Sequence, residues 1–497
     1  MTVMNTKEIK IKHFNKIASS RDYWRAKNAY YYAHLEKLIK FIIPPKQKVL
    51  EIGCGTGELL YAANPAEGKG IDFSEKMVAS AKKKFPTLNF SLGDAEDLDS
   101  DKKFNYIIMS DLLGELTDVW KAFSCLRKVT DENSRIVITY YNYLWEPLIR
   151  LAEKLKLKMP QDYQNWLSID DLENMLYMNG YEIIKKGSRL LIPIYIPLIS
   201  PFVNKYLATL PLLKKLCMLD YVVVKESPRD DGVKGDPCSV SVIIPCRNEQ
   251  GNIEGAIDRM PEMGKHGEII FVDGNSTDGT VETIEEVIKK YKGKKDIKLI
   301  HQIPKDTSEN YLKDDLETPP DKMLKLGKGD AVRKGFDAAS GDILMILDSD
   351  LTVPPEELPK FYNTIVSRRG EFINGSRLVY QMEEEAMRTL NILGNKFFSL
   401  LFTWLLEQRI KDTLCGTKVL FKKDYEKIKA GRAYFGDFDP FGDFDLLFGA
   451  AKQNLKIVEI PIRYKKREYG EIKIERFRHG LLLLKMSYIA LKKFKFY

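Results

Sequence analysis

Residues 49–60 read VLEIGCGTGELL, a strand that runs through a glycine turn straight into a helix. Gly53, Gly55 and Gly57 are the glycines of the turn, where a backbone without Cβ can approach a ligand closely and accept positive φ. The pattern repeats outward. Short strands rich in Val and Ile, KVLEIG, GKGID, FNYIIMS, SRIVITYY and YVVV, alternate with helical stretches from Lys48 to about Val224, which predicts parallel βαβ units. Residues 1–40 read as helical. About 20 residues past the glycine turn, GIDFSEKMV ends a second strand on Asp72, an acid placed to accept from both hydroxyls of a ribose. SLGDAEDL sets Asp94 after a third strand, where its side chain or the Ala95 backbone can meet an adenine edge. Asp111, ahead of LLGELTDVW, reads equally as a helix N-cap. Asn142 and Trp166, in the Tyr- and Trp-rich stretches TYYNYLWEPL and QNWLSIDDL, are candidates for an acceptor pocket, with packing the commoner use of such aromatics.

The segment Glu226–Ser239, ESPRDDGVKGDPCS, holds two Pro, two Gly and six charges, and reads as a linker. A second α/β pattern starts after it with the strands SVSVIIP, EIIFVDG, DIKLIHQ and DILMILDSD. Strand, P-x-x-N-E and helix put Pro245 and Glu249 on a polar rim at the carboxyl end of a strand, where α/β sheets bind ligands. Asp273, in VDGNSTDGT, is placed to accept from a base or ribose. GKGDAVRKGF supplies Lys328, glycines and Arg333, which could screen a diphosphate. In LMILDSDLTVPP an apolar strand ends on Asp348 and Asp350. Two carboxylates one residue apart repel each other and have no packing role. A hard divalent cation with oxygen ligands, Mg²⁺ or Mn²⁺, bridging a diphosphate accounts for them. Lys305–Lys325 is a long polar insertion with a Pro-Pro pair, read either as a functional loop or as a surface excursion.

E-x-G-C-G-T-G, I-D-x-S and G-D-A over about residues 40–225 resemble the class I methyltransferases that use S-adenosylmethionine (SAM). The resemblance implies that Glu51 contacts the methionine end, that Gly53 and Gly55 back the ligand, that Asp72 holds ribose, and that Asp94 sits by adenine. It puts Ser110 or Asp111 by the methyl-transfer pocket. The ordered set I-I-P-x-x-N-E, V-D-G-x-S-x-D-G-T, G-K-G-x-A and D-x-D over about residues 240–470 resembles glycosyltransferase family 2 with the GT-A fold. That resemblance assigns Pro245, Glu249, Asp273 and Lys328 to nucleotide contacts and Asp348 and Asp350 to the metal. The continuation is similar to the polyprenyl-phosphate sugar synthases, such as dolichyl-phosphate mannose synthase. There Arg377 in G-S-R, with Arg388, corresponds to the arginines that bind an acceptor phosphate, and Asp412-Thr413-Leu414-Cys415-Gly416 stands for D-x-x-C/S-G. Those synthases often carry Gln where this chain has Thr352. Asp412, Asp443 and Asp445 are candidates for the catalytic acids, one of them a general base, with helix capping the other reading of Asp443. A late histidine, His479, completes the metal shell or is a surface or core residue. Taken whole, the chain resembles fused proteins that join the two activities.

The expected fold is α/β, a Rossmann-like class I methyltransferase domain plus a GT-A glycosyltransferase domain. The boundaries are residues 1–225, a 226–239 linker, 240–480, and a basic amphipathic tail at 481–497. The expected chemistry is inverting transfer of a sugar from an NDP-sugar to a lipid-phosphate or glycan acceptor, and SAM-dependent methylation of a related glycan or lipid. The alternative is a SAM-binding domain that acts as a non-catalytic scaffold. A net charge of +8 among 497 residues, with 44% hydrophobic and 30% charged, is ordinary globular composition and no nucleic-acid signature. Six scattered cysteines without a C-x-x-C pair, and no signal peptide, imply reduced thiols and a cytoplasmic protein. Phe397–Leu406 and the lysine-bearing end LLLLKMSYIALKKFKFY suggest peripheral contact at the inner face of the membrane. Leu190–Phe202, with Pro193, Pro197 and Pro201, excludes a spanning helix.

Overall fold

A computed structural model of the chain describes residues 6–98, 100, 102–161, 164–228, 238–302, 327–379, 389–434, 443–467, 469 and 476–496. Two compact units divide it, Met1–Pro228 with Lys495–Tyr497, and Arg229–Phe494.

In the first unit three helices, Thr6–Ile17, Arg21–Lys27 and Ala29–Ile42, precede a seven-stranded sheet. Its strands are β1 (Lys48–Ile52), β2 (Glu67–Asp72), β3 (Asn89–Leu92), β4 (Tyr106–Ser110), β5 (Arg135–Tyr141), β6 (Tyr181–Arg189) and β7 (Leu219–Glu226). Their order across the sheet is β3-β2-β1-β4-β5-β7-β6. β1 to β5 are parallel, and β7 runs antiparallel to both its neighbours. Parallel strands covered on both faces must be apolar throughout. Leu50, Ile52, Ile107, Met109, Ile136 and Ile138 are accordingly buried in one core with Val222 and Val224 of β7. The chain leaves β1 towards β2 on one side and reaches β4 on the other. That reversal of strand order opens a crevice above the carboxyl ends.

The second unit holds β8 (Val240–Cys246), β9 (Gly267–Asp273), β10 (Asp296–His301), β11 (Ile343–Ile346), β12 (Phe372–Ser376), β13 (Lys418–Phe421) and β14 (Ile457–Pro461). They form a sheet of order β10-β9-β8-β11-β13-β12-β14. β8 to β11 are parallel, and β13 is antiparallel to both β11 and β12. The same reversal of order occurs between β8 and β11.

Among the described residues no helix is long and apolar enough to cross a membrane. Phe397–Leu406 falls in the helix Thr389–Leu406, where Phe398, Phe402, Leu405 and Leu406 are buried. Phe402 packs its ring 5.3 Å from Phe444. The basic end lies in a helix, Arg476–Phe494, that runs through residue 481 without a break. Leu483, Met486, Ala490 and Phe494 of this helix are buried. None of the six cysteines forms a disulfide. Lys305–Lys325, Asp437, Asp439 and Arg388 lie outside the described residues, as do the side chains of Asp443 and His479.

Candidate functional site

In the first unit a cavity of about 350 Å³ sits at the carboxyl ends of β1 to β4. Gly53 and Gly55 line it from the turn after β1, Asp72 from the end of β2, Asp94 and Ala95 from the loop after β3, and Ser110 and Asp111 from the end of β4. Gly55 has φ +52° and nothing within 4 Å of the place a Cβ would take. A side chain there would project into open space, as a cradle for a ligand requires. Asp72 holds the cradle in shape. Its Oδ2 accepts from the Gly55 N–H at 2.8 Å and its Oδ1 from the Ser74 N–H at 2.9 Å. Burial lifts its carboxyl above the ordinary value against those two bonds. Asp94 pairs with Lys7 and accepts from the Glu96 N–H at 3.0 Å.

Two residues expected at this ligand stand off from the cavity. Glu51 is buried, its Oε2 accepting from the Leu60 N–H at 2.9 Å, and burial pushes its carboxyl well above the usual range. It ties β1 to the next helix. Gly57, with φ +88°, starts that helix, Glu58–Ala62.

Asp111 is not a helix cap. Its backbone takes φ +50°, and its Oδ2 accepts from the Tyr31 hydroxyl at 2.6 Å. Its Oδ1 is buried with no hydrogen-bond partner. The cap of the following helix, Val119–Cys125, is Asp118. Burial raises the Asp111 carboxyl, although the Tyr31 hydroxyl, Lys158 and Arg21 pull it down. Burial and the nearby Asp111 charge push the Tyr31 and Tyr141 hydroxyls well above their ordinary values. Asn142 is a structural cap, accepting from the Leu144 N–H at 3.0 Å and donating to the Lys215 carbonyl at 3.2 Å. Trp166 lines a small recess beside Asp111 and Tyr141. Reading the sequence did not find Arg21, Tyr31 or Lys158, which also line the cavity.

In the second unit the expected nucleotide and metal residues gather at the ends of β8, β9 and β11. Asp273 accepts from the Asn275 and Ser276 N–H groups at 3.2 and 3.1 Å, and lies 3.5 Å from His301 Nδ1. Pro245, half-buried, pairs in register with Val272. Lys328 starts the helix Lys328–Ala338 and sets Nζ 2.5 Å from Asp348 Oδ1. Burial alone would raise the Asp348 carboxyl, but Lys328, with Lys418 and Arg377, holds it below the ordinary value. A Cβ on Gly416 would fall 2.1 Å from Asp348 Oδ2 and 2.6 Å from Lys328 Nζ, so a side chain there would displace this pair.

Asp350 accepts from the Thr352 hydroxyl at 2.8 Å and from Arg467 Nη2 at 2.7 Å. Thr352 thus fixes the second carboxylate. Arg467, not picked out from the sequence, also lies 3.5 Å from Glu249 Oε1 and bridges the two acids. Among the described residues no group of three or more His, Cys, Asp or Glu side chains is gathered as a metal site. Asp348 and Asp350 are hard oxygen donors of the right chemistry for Mg²⁺ or Mn²⁺. With two acids alone, a cation would complete its shell from diphosphate and water oxygens.

Two of the three acids expected to act in catalysis, Asp412 and Asp445, are otherwise engaged. Asp412 is fully buried, with Oδ2 2.7 Å from Arg377 Nε and Oδ1 2.8 Å from Arg377 Nη2. It also accepts from the Asn395 side chain and the Leu414 N–H. Burial would raise its carboxyl, but Arg377 brings it down to about 2. A carboxylate held so low is a poor base, and Arg377 has spent its planar fork on Asp412 rather than holding it out to an acceptor phosphate. Asp445 is buried and paired with Arg432 Nε at 2.7 Å.

Residues 43–180 match the family model of a methyltransferase domain, and residues 241–306 and 324–428 that of glycosyl transferase family 2. The chain therefore carries a methyltransferase domain on the first mixed α/β sheet, followed by a glycosyl transferase family 2 domain on the second. The C-terminal half is similar to the dolichol-phosphate mannosyltransferase of Pyrococcus furiosus, 30% identical over 257 residues, which is 50% of this chain and 64% of that protein. A Saccharomyces cerevisiae protein of the same description is 34% identical over 130 residues, 25% of this chain and 40% of that one. The chain thus spans less than two thirds of either relative's length. A solved structure from Thermotoga maritima, described as a SAM-dependent methyltransferase and possible histamine N-methyltransferase, is 16% identical with a TM-score of 0.36, covering 44% of this chain and 100% of that one.

Proposed function

We propose that the second unit transfers a sugar from an NDP-sugar to a lipid phosphate, with inversion, and that the first unit methylates a related glycan or lipid with SAM. The observation that carries the acceptor choice is the state of the acids. Asp412 and Asp445, two of the three expected acids, are locked in ion pairs. An acceptor hydroxyl needs a base, whereas a phosphate oxygen is already ionised and needs none. The relatives named for dolichol phosphate agree with this choice.

Asp348 and Asp350 would hold Mg²⁺ or Mn²⁺, which supplies charge neutralisation for the departing diphosphate. Lys328 adds a second positive charge beside Asp348, and Asp273 receives the base or ribose. The acceptor phosphate oxygen attacks the anomeric carbon, and the bond to the diphosphate breaks.

In the first unit the Gly55 turn, Asp72 and the Asp94–Ala95 loop would hold SAM, which supplies the methyl group. Tyr31 fixes Asp111 by one oxygen, leaving Oδ1 to take the proton of an acceptor hydroxyl as its oxygen gains the methyl. Burial of Asp111 makes it a stronger base than an exposed aspartate.

The test is incubation with GDP-, UDP- and dTDP-sugars, Mn²⁺ and a short polyprenyl phosphate, with a parallel SAM-binding titration. Glycolipid formation from one donor and saturable SAM binding are expected. Transfer to no phosphate acceptor, or transfer only to glycan hydroxyls, refutes the first part. Absence of SAM binding refutes the second.

A further inference from the structure

Residues 190–218, LLIPIYIPLISPFVNKYLATLPLLKKLCM, contain three lysines and no acid. Ile194, Leu198, Ile199, Phe202, Leu212 and Leu216 are all exposed, Leu198 to 87% and Leu212 to 82%. Two uncharged polar residues of the same segment, Ser200 and Asn204, point the other way. Ser200 is buried, donating to the Ile194 carbonyl at 2.7 Å and accepting from the Ile196 N–H at 3.0 Å. Asn204 is buried, exchanging bonds of 2.8 and 2.9 Å with the Ile192 backbone and donating to the Tyr30 hydroxyl at 3.1 Å. The backbone is therefore pinned, with these uncharged polar side chains inward and those apolar ones, Lys205 and Lys215 outward. That is the reverse of a solvated loop, whose tips are polar.

A second element shares this face. Leu148, Leu151, Leu155 and Leu157 are exposed along and just beyond the helix Glu146–Lys154. Trp145 Nε1 donates to the Leu216 carbonyl at 2.8 Å, tying the two elements together. Leu148, Leu157 and Ile194 also line the cavity above the sheet, so the apolar face is the rim of its mouth. Exposed Arg150, Lys154, Lys156, Lys205 and Lys215 stand among these side chains. Exposed apolar surface of this extent marks an interaction site. Apolar residues interleaved with cations fit an anionic lipid surface, where the side chains enter the acyl boundary and the lysines meet the headgroups.

We propose that this rim docks the methyltransferase unit on an anionic lipid bilayer, with the cavity mouth facing the membrane. Docking does not depend on methyl transfer. Its consequence does rest on that reading: the methyl acceptor is then a lipid-linked molecule that enters from the bilayer.

The experiment is flotation of the full-length protein with phosphatidylglycerol–phosphatidylcholine vesicles against phosphatidylcholine alone, without SAM. Flotation is expected with the anionic vesicles. Leu198→Glu with Leu212→Glu should weaken it about tenfold or more, and Lys205→Gln and Lys215→Gln about fivefold each. All four positions are exposed, so circular dichroism and the unfolding temperature should match the wild type. Wild-type protein that stays at the bottom of the gradient overturns the proposal. So does a Leu198→Glu/Leu212→Glu variant that floats unchanged, or loss of flotation only on Leu481→Glu/Leu484→Glu in the last helix. A wild-type dimer that these rim changes convert to monomer would instead assign the face to a second copy. None of these failures would affect SAM binding, which tests the methyl-transfer reading separately.

Discussion

Arg377 and Asp412 offer the sharpest test of how the glycosyltransferase unit is built, because sequence likeness assigns the arginine to an acceptor phosphate and the structure gives it to an aspartate. The two side chains are 12% and 0% exposed, and are joined by two bonds of 2.7 and 2.8 Å. Arg377→Ala leaves a buried carboxylate with neutral donors only, a loss of about 3–5 kcal/mol. At about 2–4 °C per kcal/mol for a unit of this size, the transition should fall by roughly 6–20 °C. Asp412→Asn should fall comparably, because a buried guanidinium loses its counter-charge. The pair Arg377→Met with Asp412→Leu removes both charges and should recover much of the loss, giving a strongly non-additive cycle. Linkage supplies a second signature. Asp412 sits at about 2 when folded against an ordinary 3.8. A depressed folded value contributes stability above the unfolded pKa, lost as pH falls from about 4 towards 2 and worth about 2 kcal/mol. That portion of the acid dependence should vanish in Asp412→Asn. Calorimetry of the full chain reads all three variants. An Arg377→Ala protein that unfolds within about 2 °C of wild type, with only its KM for lipid phosphate raised, would refute the pairing and restore the arginine to the acceptor.

Four further outcomes follow from the two sites. Asp111→Asn should keep SAM affinity and lower methyl transfer by about 10²–10⁴-fold, and the wild-type rate should rise with pH through a raised carboxyl pKa; a rate independent of both pH and this substitution would remove Asp111 as the base. Gly55→Val places a side chain at φ +52° in the open cradle, so calorimetric SAM binding should be lost while the sugar donor still binds. Asp348→Asn and Asp350→Asn should each abolish Mn²⁺-dependent sugar transfer; retained transfer would break the metal assignment. Arg467→Gln frees Asp350 and Glu249 from their shared cation, so Mn²⁺ measured by electron paramagnetic resonance should bind more tightly than to wild type.

The strands that were legible in the sequence are those buried on both faces, such as VSVIIPC of β8 and ILMI of β11, whose unbroken apolar runs leave little else to form. β6, YEIIKKGSR, was passed over because it closes the edge of its sheet and carries charges along half its length. β13, KVLF, is four residues long and opens on Lys418, which is buried with Nζ 2.5 Å from the Cys415 carbonyl. No periodicity rule places a buried lysine. Site residues divide the same way. Asp72, Asp94, Asp273, Asp348 and Asp350 stand at or just past strand ends within recognisable turns. Tyr31 reaches Asp111 across 80 positions, and Arg467 reaches Asp350 across 117. Contacts at that separation exist only once the sheet has formed.

Both units fix the acid at the end of their second strand in the same way. A ligand that brings negative charge, or hydroxyl groups, to the end of a parallel sheet needs acids fixed in place before it arrives, and fixed acids repel one another. Asp72 and Asp273, each ending the second strand of its sheet, are held by backbone N–H groups of the adjoining loops. Backbone donors stabilise the charge without adding a side chain that a ligand would have to displace. Asp348 and Asp350 instead carry Lys328 and Arg467, cations on long, movable side chains. On the proposed function a divalent ion would take their place, and the displaced ammonium and guanidinium groups would be left to meet the diphosphate of the donor. On that reading donor and metal should bind with positive cooperativity, and Lys328→Ala should weaken the donor more than the metal, which titrations of each with and without the other would read.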